Sequence, residues 1–141
     1  ILCKQRAILQ AGWGGLHAED LPDSIQLVES IPHTWLFPKM AAVVHHGGVG
    51  TTASGLRAGI PNIVVPFFAD QPFWGNRVAQ LGVGPKPIPR NKLSVNKLAS
   101  AIKFSVENSE SRLNAKELGL RIRGENGVDK AIAIIEKTSG V

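Results

Sequence analysis

The chain alternates short, continuously apolar runs with longer stretches in which apolar residues recur at helical spacing. Arg6 to Ala11, Ile25 to Val28, Ala41 to His45 and Asn62 to Pro66 predict four short strands, with a turn at Leu21-Pro22-Asp23 between the first two. Thr34 to Pro38 predicts a short helical turn. Thr51 to Ala58 predicts a helix closed by Gly59 ahead of Pro61. A second helix runs from Asp70 or Gln71 to Leu81, with Trp74, Val78 and Leu81 on one face and Gly82 as the stop. Pro85, Pro87 and Pro89 mark an extended, edge-like segment. Ser94 caps a helix whose buried face is expected to hold Val95, Leu98, Ile102 and Val106. Ser109 to Leu120 is a further helix, and Gly127-Val128-Asp129 leads into a last one with Ala131, Ile132 and Ile135 on one face.

Strands that are apolar throughout, rather than alternating, are covered on both faces. Their alternation with helices gives an α/β fold: a Rossmann-like parallel sheet with helices on both sides, over residues 1–141 as one domain. Ligands of such sheets sit beyond the carboxyl ends of the strands. Three loops fall at strand ends: Gly12-Trp13-Gly14, His45 to Thr52, and Phe67 to Gln71.

Composition narrows the classes. No apolar run approaches the ~18 residues of a membrane span. The single Cys3 excludes an internal disulfide framework and fits a reducing, cytoplasmic setting. The start at Ile1-Leu2-Cys3 reads as an internal cut. The net charge of +5 resides in the C-terminal part, where Lys86, Arg90, Lys92, Lys97 and Lys103 follow one another without an acid between them. One reading is attraction to an anionic membrane surface or acidic partner; the plainer and more usual one is a solvated face. Nucleic acid is not expected, because aromatics are not interleaved with these cations.

The segment His45-His46-Gly47-Gly48-Val49-Gly50-Thr51-Thr52 carries the most chemistry. A strand, a glycine-rich turn and a helix start aim backbone amides at a phosphate. The hydroxyls of Thr51 and Thr52 and an imidazole add donors suited to a diphosphate. Side chains alternate along a strand, so only one of the two histidines is expected to face the crevice. No Gly-Lys-Ser/Thr follows, so this is not a Walker loop, and no ligand cluster accompanies the histidines, so no metal is expected. Asp70 and Gln71 set acceptors beside donors, which suits vicinal sugar hydroxyls; Asp70 could equally cap the helix that follows. Trp13, between glycines, either covers a base or ribose or packs over the sheet end. Trp35 and Trp74 are expected to pack in the core or an interface.

Several linked motifs resemble one family. Ile31-Pro32-His33-Thr34-Trp35-Leu36-Phe37-Pro38, Val44 to Thr52, Arg57-Ala58-Gly59-Ile60-Pro61, Pro66 to Gln71, Asn76-Arg77-Val78 and Leu81-Gly82-Val83-Gly84 occur in order. Together they resemble the C-terminal, donor-binding half of UDP-dependent glycosyltransferases of the GT-B fold, above all the sterol 3-beta-glucosyltransferase group. The resemblance covers Arg6 to the end and implies specific roles. His46, Gly48, Gly50, Thr51 and Thr52 would contact the donor diphosphate, leaving His45 as a strand residue. Asp70 and Gln71 would hold the donor sugar. Ile31, Pro32 and His33 would form the uracil platform, with Trp13 lining the nucleotide pocket. Ser30 or Ile31 stands where plant members of the wider family stack a Trp on uracil, and Ser54 where a Glu often holds ribose.

The resemblance further implies that the catalytic base and most of the acceptor pocket belong to an N-terminal domain, and that the first strand and helix of the C-terminal domain are absent from 1–141. The expected function is donor binding in an inverting transferase that moves glucose from UDP-glucose to a sterol or other lipophilic hydroxyl, with no cofactor and no catalytic residue in this stretch. Two alternatives stand beside it: a donor-binding subunit of a two-chain glycosyltransferase, and a non-catalytic nucleotide-sugar-binding module.

Overall fold

The computed structural model describes residues 2–11 and 21–139. Its strands form two parallel ladders. In the first, β1 (Ala7–Gln10) pairs with β2 (Ile25–Val28), Ala7 lying opposite Ile25. In the second, β3 (Val43–His45) pairs with β4 (Asn62–Val64), Val43 opposite Asn62 and His45 opposite Val64. The expected single sheet is thus seen, among the described residues, as two ladders that share no hydrogen bond.

The second ladder carries the core. The far edge of β4 is taken by the proline-rich segment after it: Asn62 N donates to Val83 O at 3.0 Å and Ile88 N to Val64 O at 2.9 Å. Neighbouring residues of β4 therefore face opposite layers. Val64 packs with Val78 of α3 (Gln71–Gln80), Val83 and Ala115 of α5 (Ser109–Gly124), supported by Leu56 of α2 (Val49–Ala58). Ile63 packs the other way, with Ile88 and with Ala101 of α4 (Val95–Glu107). The expected covering of both faces is met at β4.

Helix boundaries follow local chemistry. Gly59 closes α2 at φ 77°, and Gly82 follows α3 at φ 65°, a left-handed backbone that glycine adopts without steric cost. Ser94 Oγ accepts from Lys97 N at 3.3 Å to cap α4. The buried stripe of α4 differs from the expected one: Ala101 and Ser105 are its buried residues, Leu98 and Ile102 flank them, and Val95 is 73% exposed. Val95 lies in the first turn, ahead of the stripe that meets Ile63 and Ile88. The short helix α1 (His33–Leu36) runs into a 3-10 turn at Phe37–Lys39. Trp35 is not in the core; it is exposed, with Lys39 Nζ 4.1 Å from its ring centroid. The last helix, α6 (Gly127–Ser139), is exposed along its length.

Glycine sets the distance between α2 and α5. A Cβ on Gly119 would stand 2.6 Å from Gly59 Cα and 2.9 Å from Leu56 O, both backbone atoms that cannot swing away. Gly119→Ala is expected to force the two helices apart and cost about 1–3 kcal/mol, read as a lower midpoint in urea unfolding with an unchanged slope.

Candidate functional site

The glycine turn is fastened from below by His45, a residue that sequence reasoning set aside. Gly47 N donates to His45 Nδ1 at 3.0 Å, and His45 Nε2 lies 2.9 Å from Asn62 Oδ1. An amide can only donate, so Nδ1 is the acceptor and Nε2 carries the proton. Asn62 is fully buried, and its Nδ2 donates to Ile60 O at 2.9 Å, which fixes the amide the same way round. Gly55 leaves room for that amide, since a Cβ there would collide with Asn62 Oδ1. Burial lowers the His45 pKa to about 4, helped by the charges of His46 and His33 and opposed by the Asn62 bond. A proton on Nδ1 would also point at the Gly47 N–H. The sequence signal was the His-x-Gly spacing itself, which puts an amide within reach of the imidazole.

With His45 anchored, the turn is shaped for an anion. Gly47 is buried at φ 94°, and a Cβ on it would stand 2.6 Å from Val64 Cγ1 and 3.0 Å from Gln71 O. Gly48 opens α2 with no side-chain cap, and no acid lies in the first turn. The first amides of that helix have no intrahelical acceptor, and the helix dipole adds about half a positive charge there. His46 is exposed, with Nε2 2.6 Å from where a Gly48 Cβ would be, so its imidazole stands over the helix start. Gly50 has nothing within 4 Å of a notional Cβ and leaves the approach open.

The two threonines differ. Thr51 is half-buried and makes no side-chain hydrogen bond among the described residues. Thr52 is 1% exposed and its Oγ1 donates to Gly48 O at 3.0 Å. Its hydroxyl proton is therefore committed to the first turn, which corrects the expectation of a free donor at that position.

The second strand-end loop meets the first. Parallel pairing puts the carboxyl ends of β3 and β4 side by side, with Val65 N donating to His45 O at 2.9 Å. Gln71 is buried against Gly47, and its Oε1 accepts from Phe67 N at 2.8 Å and Phe68 N at 3.2 Å. Asp70 is exposed, directly after Ala69 at φ 54°. It does not cap α3 with its side chain; its Oδ2 instead accepts from Trp74 Nε1 at 2.7 Å. Trp74 was expected to pack in the core or an interface, though its position four residues after Asp70 was legible as a one-turn pair.

Pro32 is exposed at the start of α1, where its carbonyl accepts from the amides of Trp35 and Leu36. His33 stacks on Phe37 with centroids 4.4 Å apart and lies near enough to His45 for its charge to act there. Trp13 lies outside the described residues. Four sequence-predicted groups thus share one strand-end surface: the glycine turn, His46, Asp70 and Gln71. A separate groove of about 1390 Å³ between α3, the proline-rich segment and α4 is lined by none of the predicted site residues. Among the described residues, no His/Cys/Asp/Glu cluster is arranged to hold a metal.

A parallel α/β layer with an uncapped, glycine-opened helix at its carboxyl edge is the arrangement of Rossmann-like domains. The chain belongs to the erythromycin biosynthesis protein CIII-like C-terminal domain family, whose model matches residues 10–126. It is 50% identical over 131 residues to a sterol 3-beta-glucosyltransferase of Arabidopsis thaliana, covering 92% of this chain and 21% of that protein. It is 38% identical over 134 residues to O-mycaminosyltylonolide 6-deoxyallosyltransferase of Streptomyces fradiae, covering 95% of this chain and 31% of the relative. The chain therefore spans about a fifth to a third of these relatives. The glycotransferase of kitacinnamycin has the same fold, with TM-score 0.83 and 24% identity over 92% of this chain and 34% of that one. Glycosyltransferase VinC, solved in complex with dTDP, matches with TM-score 0.71 and 27% identity over 75% of this chain and 27% of its own. The fold is the C-terminal half of a GT-B glycosyltransferase, as the motifs implied.

The His45 network makes the fold sensitive to acid. An unfolded histidine takes up its proton near pH 6.5, whereas the folded one resists until about pH 4. Between these values the unfolded state binds more protons, so stability rises with pH. The stability that neutral His45 confers is complete above about pH 6.5 and declines as pH falls toward about 4. His45→Gln should flatten that stretch of the stability profile, read by urea unfolding at a series of pH values.

Proposed function

We propose that this chain is the donor-binding part of an inverting glycosyltransferase that carries glucose from UDP-glucose to a sterol or another lipophilic hydroxyl. The observation that carries the reading is the contact between the two loops: Gly47 rests on Gln71, so the anion cradle and the sugar-polar pair are adjacent. A diphosphate on the start of α2 would send its sugar toward Asp70 and Gln71. The likeness to sterol 3-beta-glucosyltransferases supports the acceptor class and UDP-glucose as donor. The chain's share of those relatives' length supports an acceptor domain elsewhere in the full protein, which would bring the catalytic base.

In this reading an acceptor hydroxyl, deprotonated by that base, attacks the anomeric carbon while the bond to the UDP oxygen breaks. Negative charge then grows on the diphosphate. The amides of α2, Thr51 and the exposed imidazole of His46 stand where that charge develops and stabilise it without rearranging. His33 and Pro32 would lie under the base. No metal or cofactor is needed for charge that backbone amides and an imidazole can meet. The natural setting is cytoplasmic, at the edge of a membrane that supplies the lipophilic acceptor; among the described residues no helix is long and apolar enough to cross one. A second nucleotide is worth testing because VinC was solved with dTDP.

Calorimetry with UDP, UDP-glucose and dTDP tests the assignment. UDP-glucose should bind tightest, and the chain by itself should transfer no sugar to a sterol. His46→Ala should weaken UDP about tenfold to a hundredfold, the loss of one hydrogen bond to a charged acceptor at about 1.5–3 kcal/mol. Equal affinity for UDP in the wild-type and His46→Ala chains would refute the cradle, and preference for dTDP would reassign the donor.

A further inference from the structure

We propose that Trp74 is a positioning residue that sets the donor-sugar selectivity of the site by orienting the Asp70 carboxylate. This rests on the reading that Asp70 and Gln71 take the sugar, and extends it to a residue outside that pair.

Asp70 is exposed and follows the left-handed Ala69, so its own backbone does little to hold its carboxylate. Left to itself, an exposed carboxylate samples several rotamers and would lose that freedom on meeting a ligand. Trp74 removes the freedom beforehand. It lies one turn further along α3, and long side chains on a helix lean back toward its N-terminus. The indole therefore reaches over Asp70, and its Nε1 donates to Oδ2 at 2.7 Å. Phe73 meets the Trp74 ring edge-on, with centroids 5.1 Å apart and planes at 80°, which braces the indole.

The chemistry of the partner matters. A lysine or arginine in that place would neutralise the carboxylate; an indole is a neutral, single donor. It occupies Oδ2 and leaves Oδ1 as a charged acceptor with a fixed direction. Gln71 has the complementary restriction. Its Oε1 is taken by the amides of Phe67 and Phe68, so only its Nε2 remains to donate. The loop thus presents one acceptor and one donor on consecutive residues, with neither able to exchange roles. That pattern fits two neighbouring hydroxyls, one donating to Oδ1 and the other accepting from Nε2, and it discriminates against a sugar that lacks either.

Trp74→Phe keeps the aromatic ring and deletes the N–H. Calorimetry on the wild-type, Trp74→Phe and Asp70→Asn chains, each with UDP and UDP-glucose, separates positioning from packing. In the wild type, UDP-glucose should bind about tenfold tighter than UDP, as two hydrogen bonds allow. In Trp74→Phe the UDP affinity should stay within about twofold while the advantage of UDP-glucose shrinks to about twofold or less. Asp70→Asn should lose the same advantage. Retention of the full advantage in Trp74→Phe, with its loss in Asp70→Asn, would overturn the inference. So would a parallel fall in both affinities in Trp74→Phe, the mark of a merely structural role. A wild-type chain that binds UDP but gains nothing from the glucose would overturn the donor-sugar reading itself, and this inference with it.

Discussion

The hydrogen bonds that join Gly47, His45, Asn62 and Ile60 are the constraint on which the rest of the site depends. They run from the glycine turn through a neutral imidazole into the most buried strand, ending on a backbone carbonyl. Each member has its polarity dictated by the next, so no alternative arrangement of protons satisfies all of them. The cost of burying Asn62 is met only if the whole set is intact. Gly55 and Gly84 hold the space around it: a Cβ on either would strike the side chain or carbonyl of Asn62. A turn whose backbone must stay at φ 94° is thereby tied to the centre of the fold.

This division of labour explains the histidine pair. Alternation along a strand sends His45 inward and His46 outward. The inner one is useful because it stays neutral, with one nitrogen accepting and the other donating. The outer one is useful because it is exposed and stands over the start of α2. Neither could replace the other. An outward His45 would leave Gly47 N without a partner, and an inward His46 would remove a donor from the helix mouth. The two positions read alike in the sequence and are opposites in chemistry.

Much of this was legible beforehand, for physical reasons. The strands of the second ladder and the helices α2 to α5 follow from continuous apolar runs, helical spacing and glycine stops, which are local signals. The turn between β3 and α2 was legible because an apolar run, a group of glycines and a helix start follow one another in the sequence. What local pattern does not carry is the identity of hydrogen-bond partners. Thr52 reads as a phosphate donor until the first turn of α2 is built and claims its proton for Gly48 O. Asp70 reads as a helix cap until Trp74 reaches back to it. Val95 has the right spacing for the buried stripe of α4 but lies a turn short of the sheet. The split into two ladders was likewise beyond local reading, because pairing between strands is a long-range property.

The two loops are held by opposite strategies, and the difference bears on what each can recognise. The cradle relies on backbone: amides at a helix start have fixed directions and serve any phosphate of suitable size. Such a site gives affinity and little choice. The Phe67-to-Trp74 loop relies on side chains whose second valences are already spent, Gln71 Oε1 on two amides and Asp70 Oδ2 on an indole. What remains is one donor and one acceptor in a set order. Leaving either unpaired on binding costs more than an extra contact gains, so under the proposed function selection by this loop would work through what it rejects. On the proposed reading, affinity for the nucleotide and choice of the sugar are therefore separable on this surface. They meet only at the contact between Gly47 and Gln71, where the backbone of one loop rests on the other.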